Sequence, residues 1–248
     1  RQGNGMIKNN ILAFIFLIVI SNISYSASVK SELSSKYKVT SNINNKASLQ
    51  RGAKHFVNYC SGCHSLKYMR MSTLAQDLGI EEAVFSKNLL FTDKKIGETM
   101  TIAMKESDAV TWFNAVPPDL SLTARSKGAD YIYSKLNTYY EDDSTTTGYN
   151  NIALPNTSMP NILANLQGGQ KLVLDSNNNP ISLEKISDGT YTEIEYKQLT
   201  NDITNFLVYV SEPAKLKRYS MGFWVLLFIF IFTIIAYYTK KEFWKDVH

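Results

Sequence analysis

The sequence predicts a mostly α-helical exported domain with inserted loops and a small β-hairpin, carried on one C-terminal transmembrane helix. Three observations predict it. Apolar residues recur at helical spacing in stretches beginning near residues 48, 129 and 195. Two short alternating segments flank the polar turn Ser176-Asn177-Asn178-Asn179, the pattern of a hairpin. And the 18 residues from Met221 to Tyr238 carry no charge, close to the ~20 needed to cross a bilayer.

Residues 1–5 stand ahead of Met6 and are left out of the fold reading. Residues 6–26 read as a signal peptide: Lys8 supplies a positive start, Ile11–Ile20 an apolar core of ten residues, and Ser24 and Ser26 suit cleavage before Ala27. Ten apolar residues are too few to span a membrane. The body then runs over 27–214, the size of one domain with a modest core. The whole chain has a net charge of +4, but residues 27–214 hold 18 Lys and Arg against 20 Asp and Glu, a net charge of −2. The positive balance belongs to the signal, the membrane flanks and the tail, so nucleic-acid binding has no electrostatic support.

Within the body, residues 28–46 are rich in Ser, Asn and Lys and read as a mobile leader. Ser48 then caps a helix whose apolar face is Leu49, Ala53, Phe56, Val57 and Cys60. Residues 73–106 read as helical turns, with Met100 and Met104 among them. Val116-Pro117-Pro118-Asp119-Leu120 is a rigid extended break, because each proline fixes φ and drives its predecessor out of the helical region. Ala129–Tyr140 forms a second amphipathic helix, and Glu141-Asp142-Asp143 opens an acidic loop running to Ser158. The hairpin follows, with Lys171–Leu174 and Ile181–Leu183 as its arms. A last body helix, Glu195–Tyr209, places Leu199, Ile203, Phe206, Leu207 and Val210 on one face, and Pro213 stops it.

The anchor is expected over 219–239, with Trp224, Tyr237, Tyr238 and Trp244 at interfacial positions. Its flanks tie at three basic residues each: Lys215, Lys217 and Arg218 against Lys240, Lys241 and Lys245. The signal peptide sets the orientation instead. It puts the body outside and the tail, 240–248, inside.

The first body helix runs into Cys60-Ser61-Gly62-Cys63-His64, which holds both cysteines and one of three histidines. C-x-x-C-H is the attachment signature of c-type haem. Two thiols add across the two porphyrin vinyl groups, and the adjacent imidazole falls under the iron as proximal ligand. A redox disulfide is the competing reading, but it wants a βαβ context that residue 60 lacks. A zinc site wants four ligands, and no second Cys/His cluster exists.

For the sixth ligand an electron carrier takes Met or His. His55 lies too close before the motif and His248 across the membrane. Of seven methionines, Met159 sits in a long loop before Pro160, 95 residues after His64, where the chain can reach the other face of the ring. Met100 and Met104 remain alternatives. Arg125, between the Pro-Pro segment and the Ala129 helix, is a candidate partner for a haem propionate or a surface arginine.

Several motifs in order then resemble the cytochrome c1 family. They are C-S-G-C-H, W-F-x-x-x-P-P-D-L-S (Trp112–Ser121), A-R-S-x-G-A-D-Y (Ala124–Tyr131), G-Y-N-N (Gly148–Asn151), L-P-N-x-x-M-P (Leu154–Pro160) and L-Q-G-G-Q (Leu166–Gln170), with K-K-E-F-W-K-D-V-H closing the chain. The resemblance runs from Leu49 to His248 and is nearest the bacterial form. It implies a mostly α, cytochrome c-like domain with one covalent haem c on Cys60 and Cys63, and with His64 and Met159 as axial ligands. It also implies Arg125 at a propionate and Pro117-Pro118 by the haem edge. The implied role is one-electron transfer from a Rieske iron–sulfur protein to a c-type cytochrome acceptor, beside cytochrome b, within a dimeric quinol:cytochrome c reductase. The implied place is the bacterial cell membrane, haem domain on the periplasmic side. Such a subunit needs no acid, base or nucleophile of its own. Rival readings are another anchored c-type cytochrome feeding a terminal oxidase or nitric oxide reductase, and a tethered thiol oxidoreductase. Glu141-Asp142-Asp143 is either a solvated loop or part of a docking surface for a basic carrier.

Overall fold

A computed structural model describes residues 32–245. The expected signal peptide over 6–26, and His248, lie outside the described residues. The first half of the described chain runs α1 (Glu32–Ser35), α2 (Lys46–Tyr59), β1 (Leu66–Arg70), α3 (Met71–Leu78), α4 (Glu82–Leu89), β2 (Thr99–Met100), α5 (Glu106–Phe113) and α6 (Thr123–Lys127). There follow α7 (Ala129–Asn137), β3 (Tyr139–Glu141), β4 (Tyr149–Asn151), α8 (Ala164–Gln167), β5 (Gln170–Leu174), β6 (Pro180–Lys185), α9 (Glu193–Ser211) and α10 (Lys215–Phe243). The described strands pair only as antiparallel ribbons, β1 with β2, β3 with β4 and β5 with β6.

The frame is α2 packed on α9. Leu49, Ala53 and Phe56 of α2 meet Leu199, Ile203, Phe206 and Val210 of α9 in the core, as the helical spacing of both segments requires. Gly52 permits the close approach: a Cβ there would overlap the carbonyl oxygen of Asp202 and lie 2.6 Å from Cβ of Phe206. One turn on, the rings of Phe56 and Phe206 stand 5.6 Å apart at 47°. The buried carboxylate of Asp202 is fully engaged, accepting from Ser48 Oγ at 2.6 Å, Arg51 Nε at 2.7 Å and Gln198 Nε2 at 3.0 Å. Those bonds offset the cost of taking its charge out of water.

Four local expectations change. Asn45, not Ser48, caps α2, its Oδ1 accepting from Ser48 N; Ser48 is buried and spends its hydroxyl on Asp202. The described part of the leader is packed down. Leu33 is buried, Val39 N donates to Asp130 Oδ1, and Asn42 exchanges two hydrogen bonds with Asn205. Met100 and Met104 lie outside the helices, Met100 pairing with Leu66 in the β1–β2 ribbon. And α7 ends at Asn137 rather than Tyr140, because Gln167 and Gln170 both donate to the Asn137 carbonyl and Tyr139 turns into β3. That pair of bonds gives the L-Q-G-G-Q motif a physical purpose.

The hairpin β5–β6 stands where the alternation puts it, and α9 opens two residues earlier than expected on a Thr192/Glu195 capping box. The 29 residues of α10 make a rod about 44 Å long at 1.5 Å per residue. Its segment Met221–Phe243 has a mean hydropathy of 2.2 and none of it is buried by the domain. A helix apolar on every side and uncovered is a membrane span rather than a core helix.

Candidate functional site

The C-terminus of α2 delivers the C-S-G-C-H motif. Cys60 N still donates to Phe56 O at 2.8 Å, and the Cys60 carbonyl then accepts from Cys63 N at 3.0 Å and His64 N at 2.8 Å. These bonds curl the five residues into one turn that keeps both thiols and the imidazole together. Both thiols are free, Cys60 buried and Cys63 partly so. Burial pushes the Cys60 thiol up to about 12. A thiol so reluctant to ionise is a poor partner for disulfide exchange, whose nucleophile is the thiolate.

His64 is only 8% exposed. Its Nδ1 lies 2.8 Å from the carbonyl oxygen of Pro118. Burial, the largest influence, holds the ring below its ordinary value and so in the neutral form. A neutral imidazole with Nδ1 committed leaves its Nε2 lone pair available to a metal. Among the described residues no three His, Cys, Asp or Glu side chains converge as a site for a bare metal ion. Two free thiols and one oriented neutral imidazole are instead the donor set that a covalently attached haem needs, and the residues present fit that group.

The Pro-Pro-Asp-Leu-Ser segment has a role that its stiffness alone did not suggest. Asp119 Oδ2 accepts from Lys67 N at 2.8 Å and Oδ1 from Ser121 N at 3.0 Å. Leu120 N donates to Ser65 O at 2.9 Å, and Tyr68 N to Ser121 Oγ at 3.2 Å. The segment is thus stitched along residues 65–68, which carries the Pro118 carbonyl to His64. The legible signal was the Asp-x-Ser pattern, an Asx-turn in which a carboxylate caps a backbone N–H two residues on.

Met159 lies in the loop between β4 and α8. Two asparagines shape that loop: Asn150 Oδ1 accepts from Asn151 N and Asn156 N, both at 2.8 Å, and Asn151 Oδ1 accepts from Ala153 N and Leu154 N. Met159 itself is gripped at both backbone groups. Its N–H donates to Thr157 Oγ1 at 3.3 Å, and its carbonyl accepts from the Tyr139 hydroxyl at 3.1 Å. Thr157 and Tyr139 make these bonds, Lys135 in turn touches both, and the sequence pattern marked none of the three in this role.

Not every candidate is drawn together. Met100, not Met159, shares a small cleft with His64, Phe56, Leu90 and Phe91. Met100 therefore keeps its standing as a rival ligand on position, although its backbone is tied to Leu66 in the ribbon. Arg125 is exposed on α6 and makes no side-chain hydrogen bond or ion pair within the described residues; its charge helps hold Glu212 below the ordinary carboxylate range, behind the nearer Arg218. Pro117 is half-buried and Pro118 exposed apart from its carbonyl contact. His55 stacks on Tyr59, centroids 6.3 Å apart. In the acidic triplet Asp142 is an internal cap, accepting from Ser144 N, Ser144 Oγ and Asn150 Nδ2.

Residues 36–247 match the cytochrome C1 family. The chain is 46% identical over 212 residues to cytochrome c1 of Allochromatium vinosum, covering 83% of this chain and 87% of that protein. It is 42% identical over 203 residues to a Nitrosomonas europaea protein named ammonia monooxygenase gamma subunit, covering 82% and 85%. To cytochrome c1 of Rhodospirillum rubrum it is 26% identical over 232 residues, covering 80% and 81%.

Proposed function

Because the chain belongs to the cytochrome c1 family, we propose that it passes single electrons from a Rieske iron–sulfur protein to a c-type cytochrome, as the anchored haem subunit of a bacterial quinol:cytochrome c reductase. Membership of that family implies electron transfer within a cytochrome bc1 complex. The observation that carries the finer reading is the pair of free thiols beside an imidazole whose Nδ1 is committed to the Pro118 carbonyl. Bound there, one haem c would supply a ferric/ferrous couple, with no acid, base or nucleophile required of the chain.

The residues divide the work of holding that group. Cys60 and Cys63 would tether it through thioethers, which makes it non-exchangeable. His64 presents Nε2, and Met159 offers its thioether from a loop braced at both backbone groups. Arg125 has a guanidinium free to meet a propionate, and Pro117-Pro118 would lie by the ring edge. The exposed helix α10 would hold the domain beside cytochrome b on the periplasmic face of the bacterial cell membrane, and the complex would be dimeric.

The test is haem staining of a denaturing gel, with a reduced-minus-oxidised spectrum of the purified protein. Covalent haem that disappears in the Cys60→Ser/Cys63→Ser double variant, in a protein co-purifying with a cytochrome b and a Rieske protein, is the expected result. A free dithiol without covalent haem would overturn the reading. Covalent haem in a protein that purifies with a terminal oxidase would leave the cofactor assignment standing and overturn the complex.

A further inference from the structure

Lys135, on α7, is a half-buried amine with no carboxylate beside it among the described residues. Its Nζ donates to Thr157 Oγ1 at 2.9 Å and stands 5.3 Å from the centroid of the Tyr139 ring. The same Thr157 oxygen accepts the N–H of Met159 at 3.3 Å, and the Tyr139 hydroxyl donates to the Met159 carbonyl at 3.1 Å. The carbonyl of Lys135 accepts from Asn151 Nδ2 at 2.8 Å, and Asn151 Oδ1 caps the start of the Met159 loop. Both backbone groups of Met159 are therefore held by side chains that Lys135 touches. Its positive charge is also felt at His64.

Taking even part of an ammonium out of water without a counter-ion is costly, and an aliphatic side chain of similar length would fill the same space at lower cost. That a lysine stands here, wired to the loop of one candidate ligand and within electrostatic reach of the other, calls for a role in the site. We infer that Lys135 is a positioning residue: through Thr157 and Tyr139 it fixes the Met159 loop so that the thioether stays on the iron, and its charge raises the reduction potential of the haem. The second effect follows from sign alone. A nearby positive charge favours the less positive, reduced form of the metal. The inference rests on Met159 being the sixth ligand.

Four variants of the full-length, haem-loaded protein separate the possibilities: Lys135→Met, Thr157→Val, Thr157→Ser and Met159→Leu. The readouts are the thioether-to-ferric-iron charge-transfer absorption, carbon monoxide binding to the reduced form, and the midpoint potential. Haem staining checks that attachment is intact. Met159→Leu should abolish the charge-transfer absorption. Lys135→Met and Thr157→Val should weaken it and admit carbon monoxide to part of the reduced protein, while Thr157→Ser, which keeps the hydroxyl, stays like the wild type. Lys135→Met should lower the potential further than Thr157→Val, since it removes charge as well as position. If Met159→Leu loses the absorption but Lys135→Met and Thr157→Val match the wild type in all three readouts, the role of Lys135 is overturned and Met159 stands. If Met159→Leu keeps the absorption, the ligand assignment itself fails and the inference falls with it.

Discussion

The carbonyl oxygen of Pro118 lies 2.8 Å from Nδ1 of His64. A peptide carbonyl only accepts, so the ring proton sits on Nδ1 and the lone pair of Nε2 is left for a metal. Such a bond orients the imidazole and raises its basicity as a ligand. Asp119 keeps the carbonyl in place by accepting from Lys67 N and Ser121 N.

Asp119→Ala should therefore act on both stability and potential. Losing two bonds to a carboxylate should cost about 2–3 kcal/mol, read by denaturant unfolding. The midpoint potential should rise, because a looser Nδ1 bond makes the ligand a poorer donor. Asp119→Asn, which retains one acceptor oxygen, should fall between. An unchanged potential in Asp119→Ala would mean that the Pro118 contact does not depend on this latch.

Gly52→Ala drives a methyl group into the Asp202 carbonyl and against Phe206. Both neighbours are helix-borne and cannot swing aside, so α2 and α9 must separate. The expected cost is about 3 kcal/mol, the upper part of the usual range for overpacking. Thermal unfolding of the holoprotein measures it. Stability equal to the wild type would show that the helices can part without penalty.

Burial lowers the amine of Lys135 from 10.5 to about 8. Between those values the unfolded chain binds more protons than the folded one, so this group makes stability rise with pH through that window. Below about 8 the half-buried amine is charged and its cost is greatest. Lys135→Met should resist denaturant better than the wild type at pH 7, and its stability should lack the rise. Equal pH slopes in the two proteins would remove Lys135 as the cause. A variant that is more stable yet ligates the iron less well is the outcome expected of a positioning residue.

The acidic triplet separates into a structural and a free member. Hydrogen bonds from Ser144 and Asn150 hold Asp142 below the ordinary carboxylate range, whereas Asp143 is exposed. Asp143→Lys should slow reduction of a basic acceptor at low ionic strength, and high salt should erase the difference. Asp142→Lys should disturb the turn and resist rescue by salt. Equal rates for Asp143→Lys and wild type at low salt would exclude a docking role for the triplet.

Much of the frame is legible in the chain because its causes are local. A stripe of Leu199, Ile203, Phe206 and Val210 buries one helical face wherever that helix goes, and Lys171–Leu183 alternates about its own turn. Other elements answer to distant partners. The helical pattern around Met100 yields to pairing with Leu66. Ser48 looks like a cap, yet Asp202, far along the chain, claims its hydroxyl. Asn42 reads as leader until Asn205 meets it.

By itself the sequence determined the attachment motif at Cys60–His64, the amphipathic faces of the packed helices, the apolar anchor and the family, all written in short spans by residue type and period. Only the tertiary structure decided which carbonyl orients His64, which side chains grip Met159, and that a half-buried lysine with no carboxylate beside it touches two of those side chains. Hydrogen bonds and fields act through space, over separations such as the 54 positions from His64 to Pro118 and the 22 from Lys135 to Thr157. No local pattern encodes which of those distant groups will meet.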